Sequence, residues 1–297
     1  VKWSWLPLLG DALNMGGKPL EFLMGCAAAY SECFGLVVGG NRLFLITDPF
    51  SNDLILKANS KRLSTHEFHN TVLRNFFGVS NATLTRSDGG MDDNLMRSWY
   101  SKFIYSDTGL GPLTERMQSY LQTKMAAECS KGVQIVNMYE WVGSFIFEAS
   151  LAALLSESSP SNVPGLFEAF AEFDKALPIA LAGCPVGYLR GALKGRQSLF
   201  DVANTFDPKE ACALFQKRHA LFSGMTEKGD MISEDGAALH LAIIWASVGN
   251  TIPTAFWLVY FITVEANPDV RAAVMDEVTR GKCGNSVFSQ SALNGMT

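Results

Sequence analysis

The sequence predicts a mainly α-helical domain with a small β region near its start. From about residue 90 onward, nearly every segment has the apolar spacing of a helix. Before residue 50, two short β-rich runs flank a pair of glycines. Residues 241–264 contain no charged side chain, which predicts a long, dry helix. The 297 residues contain no repeat and no obvious linker, so we expect one domain.

The composition limits the class of protein. Hydrophobic residues make up 48% of the chain and charged residues 18%, where soluble domains usually carry about 25% charged residues. Lysine and arginine number 24 against 29 acidic residues, and the net charge of −5 shows no basic cluster. Nucleic acid is therefore not an expected partner. The six cysteines are scattered without a C-x-x-C pair, which is typical of a reducing compartment.

The N-terminal segment predicts a helix and then a hairpin. A helix follows Pro19, and its apolar side is formed by Leu20, Leu23, Met24 and Ala27. The β-rich runs 34–38 and 43–47 flank Gly39 and Gly40, which tolerate the positive φ of a hairpin turn. Asp48 followed by Pro49 predicts the N-cap and first turn of another helix. The later helices are predicted over residues 92–105, 113–127, 138–155, 165–177, 186–204 and 209–222.

The longest predicted helix begins at Ser233, where Glu234 and Asp235 complement the helix dipole. About thirty residues at about 1.5 Å each would make it roughly 45 Å long, so we expect a central strut. His240 is interpreted as a polar boundary residue. A transmembrane helix is the alternative. Polar residues at the middle of the stretch and the lack of a positive cluster at its ends favour a helix buried all round by other helices.

The middle of this helix is chemically unusual. Pro253 has no N–H, so the carbonyl of Gly249 loses its helical partner, and Gly249 itself leaves a notch. Asn250 and Thr251 place an amide and a hydroxyl beside that notch. A small polar ligand would fit there. Taken alone, however, these residues favour a kinked helix whose polar side chains satisfy the broken hydrogen-bond ladder.

The stretch Ala246–Pro253, followed by Phe256 and Trp257, resembles the oxygen-binding helix of the cytochrome P-450 superfamily. It is most similar to the branch containing the cholesterol and oxysterol 7α-hydroxylases, sterol 12α-hydroxylase and prostacyclin synthase. Further segments fall in the order of that branch, and together they cover nearly the whole chain: Trp5–Gly10, the hairpin leading to Asp48 and Pro49, Phe173–Pro185, and Asn267 with Pro268.

The resemblance implies an incomplete cytochrome P-450 fold, haem held by a cysteine thiolate, and electrons from an NADPH-dependent reductase. It implies a location on the cytosolic face of the endoplasmic reticulum, through a membrane anchor. The expected activity is hydroxylation of a sterol or oxysterol, as in the 7α-hydroxylases. One alternative is an isomerase of a prostaglandin endoperoxide, as in prostacyclin synthase. An alternative of another class is a non-catalytic helical or membrane protein built around the 241–264 stretch.

The same resemblance assigns roles to residues of the long helix. Thr251 is the expected catalytic hydroxyl, which assists proton delivery during oxygen cleavage. Asn250 stands where most of the superfamily has an acid, which weakens a relay through a carboxylate. The oxygen groove is expected to be formed by Ala246, Ser247, Gly249 and Pro253. Prostacyclin synthase lacks a threonine at this place, so Thr251 favours the hydroxylase.

Two signatures of the superfamily are missing from the chain. No cysteine lies in the haem-ligand pattern F-x-x-G-x-x-x-C-x-G, so the axial cysteine is expected outside this chain and no metal ligand within it. The pair E-x-x-R is spelled only by Glu277 and Arg280, on the helix directly after the long one, which indicates a chance match. We therefore expect residues 1–297 to be a partial domain, without the membrane anchor or the C-terminal haem-thiolate region, and inactive alone.

The remaining candidates have more ambiguous patterns. Lys102 and Arg97 lie where relatives place cations toward the haem propionates, but Phe103 replaces the arginine of W-x-x-x-R, and a solvated face is the alternative. A lipid pocket could be lined by Phe76, Phe77, Leu177, Ile179 and Leu181, which could equally be ordinary core. His66 and His69 share a helical spacing, but no further ligand follows at zinc-site spacing.

Overall fold

The fold is mainly α-helical with one two-stranded sheet, which confirms the fold class predicted from the sequence. The computed structural model describes residues 10–30, 32–51, 55, 63–85, 93–159, 163–181 and 185–281. Several features of the sequence analysis lie outside these residues: positions 5–9 of the segment Trp5–Gly10, most of the helix predicted after Pro49, Cys184 and Cys283.

The elements follow one another as expected for a helical domain with a β region near its start. The first elements are α1 (Ala12–Gly17), α2 (Pro19–Tyr30), β1 (Cys33–Val38), β2 (Asn41–Ile46), α3 (His66–Val72, continued by a π-helical turn, Leu73–Phe77) and α4 (Asn81–Thr85). The middle elements are α5 (Asp93–Phe103), α6 (Asp107–Cys129), α7 (Met138–Leu154), α8 (Leu166–Asp174), α9 (Leu177–Leu181), a 3-10 turn (Val186–Tyr188) and α10 (Arg190–Thr205). The last elements are α11 (Ala213–Glu227), α12 (Ser233–Val248), α13 (Thr251–Tyr260, continued by a π-helical turn, Phe261–Glu265) and α14 (Pro268–Gly281).

The hairpin forms as predicted. Strands β1 and β2 pair antiparallel, with Val38 opposite Asn41, and the turn residues Gly39 and Gly40 have φ of 56° and 80°. Glycine adopts this left-handed region without the steric cost that a side chain would add. The predicted apolar side of α2 is only half correct, because Leu20 and Met24 are 70% and 64% exposed. The short sheet contacts only the part of the helix that carries Leu23, Cys26 and Ala27.

Three helix boundaries differ from the prediction for local reasons. Helix α6 begins at Asp107, before Pro112, because the Ser106 hydroxyl accepts a hydrogen bond from the Gly109 N–H at 3.1 Å and caps the helix. Helix α11 begins at Ala213 and not near 209, since the Asp207 carboxylate holds the preceding residues in a turn. The segment predicted as one helix from 186 starts with a 3-10 turn, and α10 follows it.

The core lies where α7, α8, α10, α11 and α12 pack on one another. Helix α7 contributes more buried residues than its neighbours because it contacts α6, α8, α12 and α13. The largest buried side chains of the core include Phe147, Phe173, Phe215 and Leu241. A separate small cluster, which consists of Cys26, Phe34 and Leu36, lies under the hairpin.

The long helix is broken near its middle and is not buried all round, contrary to the prediction. Helix α12 is largely buried by the bundle, whereas Trp257, Leu258, Phe261 and Val264 in the second part are between 51% and 60% exposed. Among the described residues, α13 packs mainly against α7, so one side is covered and the other faces outward. Ser233–Glu265 is long and apolar enough to cross a membrane, and 17% of its apolar window is buried within the protein.

Candidate functional site

The break in the long helix is centred on Gly249 and Asn250, which form a turn between α12 and α13. Pro253 has no N–H to offer the Gly249 carbonyl, so one rung of the helical ladder is missing. The Thr251 hydroxyl donates a hydrogen bond to the Ser247 carbonyl at 2.7 Å, across the break. The threonine therefore supports the broken hydrogen-bond ladder, as expected for a kinked helix whose polar side chains satisfy that ladder. Its oxygen still has lone pairs that can accept a hydrogen bond.

The two sides of the break differ in burial. Ala246, Asn250 and Thr251 are exposed, whereas Val248 and Ile252 are buried in the core. An amide, a hydroxyl and a small methyl group thus lie together on an accessible surface, which we call the open face. This face can accept and donate hydrogen bonds beside an apolar rod, and the buried side anchors it.

The notch expected at Gly249 is covered by an aromatic ring. A Cβ atom placed on Gly249 would lie 3.4 Å from the Trp245 ring, which is van der Waals contact, and 3.1 Å from the Trp245 carbonyl oxygen, which is tight. The Trp245 indole N–H donates a hydrogen bond to the Asp174 carboxylate at 2.7 Å. Burial raises the pKa of the Asp174 carboxyl, and the hydrogen bond from the indole acts in the opposite direction. The sequence did not predict this hydrogen bond, which joins residues 71 positions apart.

The residues predicted to line a lipid pocket lie in two environments. Phe76 and Phe77 are fully buried, and Phe76 stacks on Phe173 with ring centroids 4.1 Å apart. Leu177 is partly buried beside this core, whereas Ile179 and Leu181 are exposed on α9. The structure therefore brings the two phenylalanines beside Trp245, at 5.7 and 5.9 Å between ring centroids. The other three lie farther out, toward solvent.

Lys102 and Arg97 are exposed on α5. Lys102 borders a crevice together with Arg116, and this crevice is formed by residues of α5, α6 and the start of α11. None of the residues that line the crevice belongs to α12 or α13. The proposed role of these two cations in binding propionates stays a prediction.

The open face offers polar atoms on one surface of the helix and no metal ligand. Thr251 and Asn250 supply the polar atoms, and Ala246 adds only a methyl group. An axial sulfur ligand is not found beside this face among the described cysteines: Cys26 and Cys33 belong to the hairpin region, Cys129 ends α6, and Cys212 precedes α11. In the described ranges, no group of at least three His, Cys, Asp or Glu residues could hold a metal ion.

Two further polar residues were misjudged from sequence. Asp235 does more than complement a dipole: its buried carboxylate accepts hydrogen bonds from the Ser80 N–H, the Ser80 hydroxyl and the Thr83 hydroxyl, at 2.8, 2.6 and 2.5 Å. His240 is not a boundary residue, because it is 3% exposed and packs among phenylalanine rings. Tertiary neighbours distant in sequence decide both environments.

Comparison with known proteins gives a consistent set of relatives. The chain is 27% identical over 291 residues to cytochrome P-450 7A1 of Rattus norvegicus, and 28% identical over 292 residues to cholesterol 7-alpha-monooxygenase of Cricetulus griseus. In both cases the match covers 92% of this chain and 55% of the relative. It is also 26% identical over 299 residues to prostacyclin synthase of Rattus norvegicus, covering 93% of this chain and 56% of that protein. The chain thus spans about half the length of the curated relatives it matches. No protein-family profile matches the chain.

Proposed function

The chain belongs to the cytochrome P-450 superfamily, in the branch of the sterol 7α-hydroxylases and prostacyclin synthase, and from this membership we propose that the whole protein is a haem-thiolate monooxygenase. Its proposed substrate is a sterol or oxysterol, and the 7α position is the favoured site of hydroxylation. The observation that carries this proposal is the broken helix, which exposes Thr251 on the open face.

A haem bound through a thiolate would supply the oxygen-activating chemistry of this superfamily. The residues of this chain would shape and hydrate its surroundings. Ala246 would leave space for the flat group, and the Thr251 oxygen would accept a hydrogen bond from water while its proton is donated to the Ser247 carbonyl. Asn250 offers an amide where a carboxylate would change charge with pH. The thiolate, a reductase partner and attachment to the endoplasmic reticulum membrane are further parts of this proposal.

Two other functions have specific support. An isomerase of a prostaglandin endoperoxide is supported by the 26% identity to prostacyclin synthase, although the exposed hydroxyl of Thr251 favours proton delivery and hence hydroxylation. A non-catalytic helical or membrane protein is supported by the exposed apolar side chains of α13 and by the length of the apolar stretch.

A carbon monoxide difference spectrum of the full-length gene product tests the cofactor. The reduced protein should show the absorption band of a thiolate-ligated haem. A full-length protein without that band would refute both the hydroxylase and the isomerase. The hydroxylase is then distinguished from the isomerase by whether product formation depends on oxygen and reductant. Conversion of an endoperoxide without either one would refute the hydroxylase.

Substitution of Thr251 tests the role of the open face. In the full-length protein, Thr251→Val should reduce the ratio of hydroxylated product to oxygen consumed by at least about tenfold, because a positioned hydroxyl that serves proton transfer is lost. Thr251→Ser should retain most of the activity. The matched control is Thr263→Val, since the Thr263 hydroxyl also donates to a carbonyl one turn back, at 2.7 Å, but lies away from the break. Equal losses in Thr251→Val and Thr263→Val would contradict the assignment.

A further inference from the structure

An aromatic wall stands beside the helix break. The wall consists of Trp245, Phe76, Phe77 and Phe173. The rings of Phe76 and Phe77 each contact those of Phe173 and Trp245. The Trp245 ring lies along Gly249, where an added Cβ atom would be 3.4 and 3.5 Å from two of its carbons. The ring therefore occupies the side of the helix that Gly249 leaves bare. Beside this ring, Ala246, Asn250 and Thr251 are exposed, and we call the space over these three residues the gap.

The packing of phenyl rings alone does not choose the orientation of this indole. Rings in edge contact, at 5.7 and 5.9 Å between centroids, tolerate an indole turned over by half a rotation about its Cβ–Cγ bond. The nitrogen is the one polar atom of the ring. It donates to Asp174 at 2.7 Å, and turning the ring over would move this donor away from the carboxylate. A hydrogen bond to a charged, half-buried acceptor is among the stronger ones, so it selects a single orientation.

Asp174 is well placed for this task because it is the last residue of α8. Helix α8 packs along α10, and the phenyl ring of Phe173, next to Asp174, is fully buried in the core. The carboxylate is thus attached to a rigid element that is separate from the long helix. The hydrogen bond joins residues 71 positions apart in sequence and connects the end of α8 to the side chain that covers Gly249.

We propose that Asp174 is a positioning residue: through its hydrogen bond with Trp245 it holds the indole against Gly249 and so sets the width of the gap beside Thr251. A lipid bound over the open face would be limited in width by this ring. The meaning of the gap for a substrate rests on the proposed function, but the contact between Asp174 and Trp245 does not.

The contact is tested in the full-length protein, before any measurement of turnover. In protein labelled with ¹⁵N at the tryptophan indoles, the Trp245 signal is assigned by its loss in Trp245→Phe. The unmodified chain should show nuclear Overhauser effects between the Trp245 ring and the α-protons of Gly249, and their absence would overturn the proposal without any variant. Asp174→Ala should speed solvent exchange of the indole N–H by about tenfold or more. Asp174→Asn keeps an acceptor and should restore most of the protection.

The matched control is Glu172→Gln, which removes a carboxylate two residues earlier on the same helix. Glu172 pairs with Lys175 at 2.6 Å and does not contact the indole. This variant should leave the exchange rate of the Trp245 N–H unchanged. An exchange rate in Asp174→Ala equal to that of the unmodified chain, or equal changes in Asp174→Ala and Glu172→Gln, would overturn the proposal.

The consequence for the site is tested in the full-length protein. If the indole sets the width of the gap, Asp174→Ala should raise the ratio of turnover of a wide to a narrow sterol by about fivefold or more, and Asp174→Asn should return it toward the original value. A purely structural role would lower both activities in proportion, and that result would overturn the proposal. A full-length protein that lacks the thiolate band, but in which Trp245 stays protected by Asp174, would instead refute only the proposed function.

Discussion

Arg218 and His240 place charge and polarity inside the core, where each side chain depends on its neighbours. Arg218 is 2% exposed, donates to the Leu239 carbonyl at 2.7 Å and lies over the Phe222 ring at 4.9 Å. No carboxylate partner for it is found within the described ranges. The adjacent imidazole of His240 is affected by this charge. The burial of His240 is the largest cause that lowers its pKa well below the ordinary value, and the charges of Arg218 and His219 lower it further.

This lowered pKa predicts a loss of stability in acid. Folded His240 stays neutral, whereas the unfolded chain takes up a proton below about pH 6.5. Acidification below that pH therefore favours unfolding, by up to about 1.4 kcal/mol per pH unit from this group. His240→Phe should reduce the slope of unfolding free energy against pH between about 6.5 and 5, as measured by urea denaturation. The control His66→Phe changes an exposed imidazole, and an equal effect of both variants would contradict the prediction.

Between elements, the clearest polar connection joins α12 to the segment that carries α4. Asp235 lies in the first turn of α12 and is 1% exposed, and its carboxylate accepts from Ser80 and Thr83. These residues directly follow the π-helical turn that contributes Phe76 and Phe77 to the aromatic wall. The carboxylate thus fixes the start of the long helix relative to the segment that helps to form the wall.

Asp235→Ala should lower the free energy of unfolding by about 3 kcal/mol, because three donors lose their acceptor and remain partly or fully buried. Denaturant titration measures the loss, and hydrogen exchange should localise it to residues 79–85. Glu234→Ala is the matched control, since the neighbouring carboxylate is exposed, and it should change stability by less than about 0.5 kcal/mol. A comparable loss in both variants would indicate a general charge effect and not this connection.

The described residues form two hydrophobic clusters of unequal size. The large one joins α3 with its π-helical turn, α4 and the helices from α6 to α13, and the small one lies between α2 and the hairpin. Stability need not be uniform across such a structure, because each cluster can open with its own free energy. The hairpin region is therefore expected to unfold locally while the helical bundle stays intact.

Leu36→Asp tests this separation, since Leu36 is fully buried in the small cluster. The charge should abolish hydrogen-exchange protection in residues 33–46, at a local cost of about 3 kcal/mol or more, and leave protection around Leu151 unchanged. Leu43 pairs with Leu36 across the hairpin but is exposed, so Leu43→Asp is the matched control and should have a much smaller effect. Loss of protection at Leu151 in Leu36→Asp would show a single cooperative unit.

The parts of this fold that local chemistry controls could be predicted. The hairpin followed from two glycines that both adopt positive φ, and α7 was predicted over residues 138–155, to which the structure adds Asn137 as the cap. The break at Gly249 and Pro253 followed from a missing N–H. The exposure of Trp257 and the burial of His240 were not predictable, because each depends on which helices pack against that residue.

For the candidate site, the chain alone determined the chemical groups present: a hydroxyl, an amide and a carbonyl without its usual partner, at successive positions of one apolar helix. Their roles in catalysis stay predictions. Packing between helices sets which side of that helix is accessible, and it places an indole held by Asp174 over Gly249. The physical reason is distance along the chain: backbone hydrogen bonds within a helix are local, whereas burial and side-chain contacts depend on residues that folding brings together.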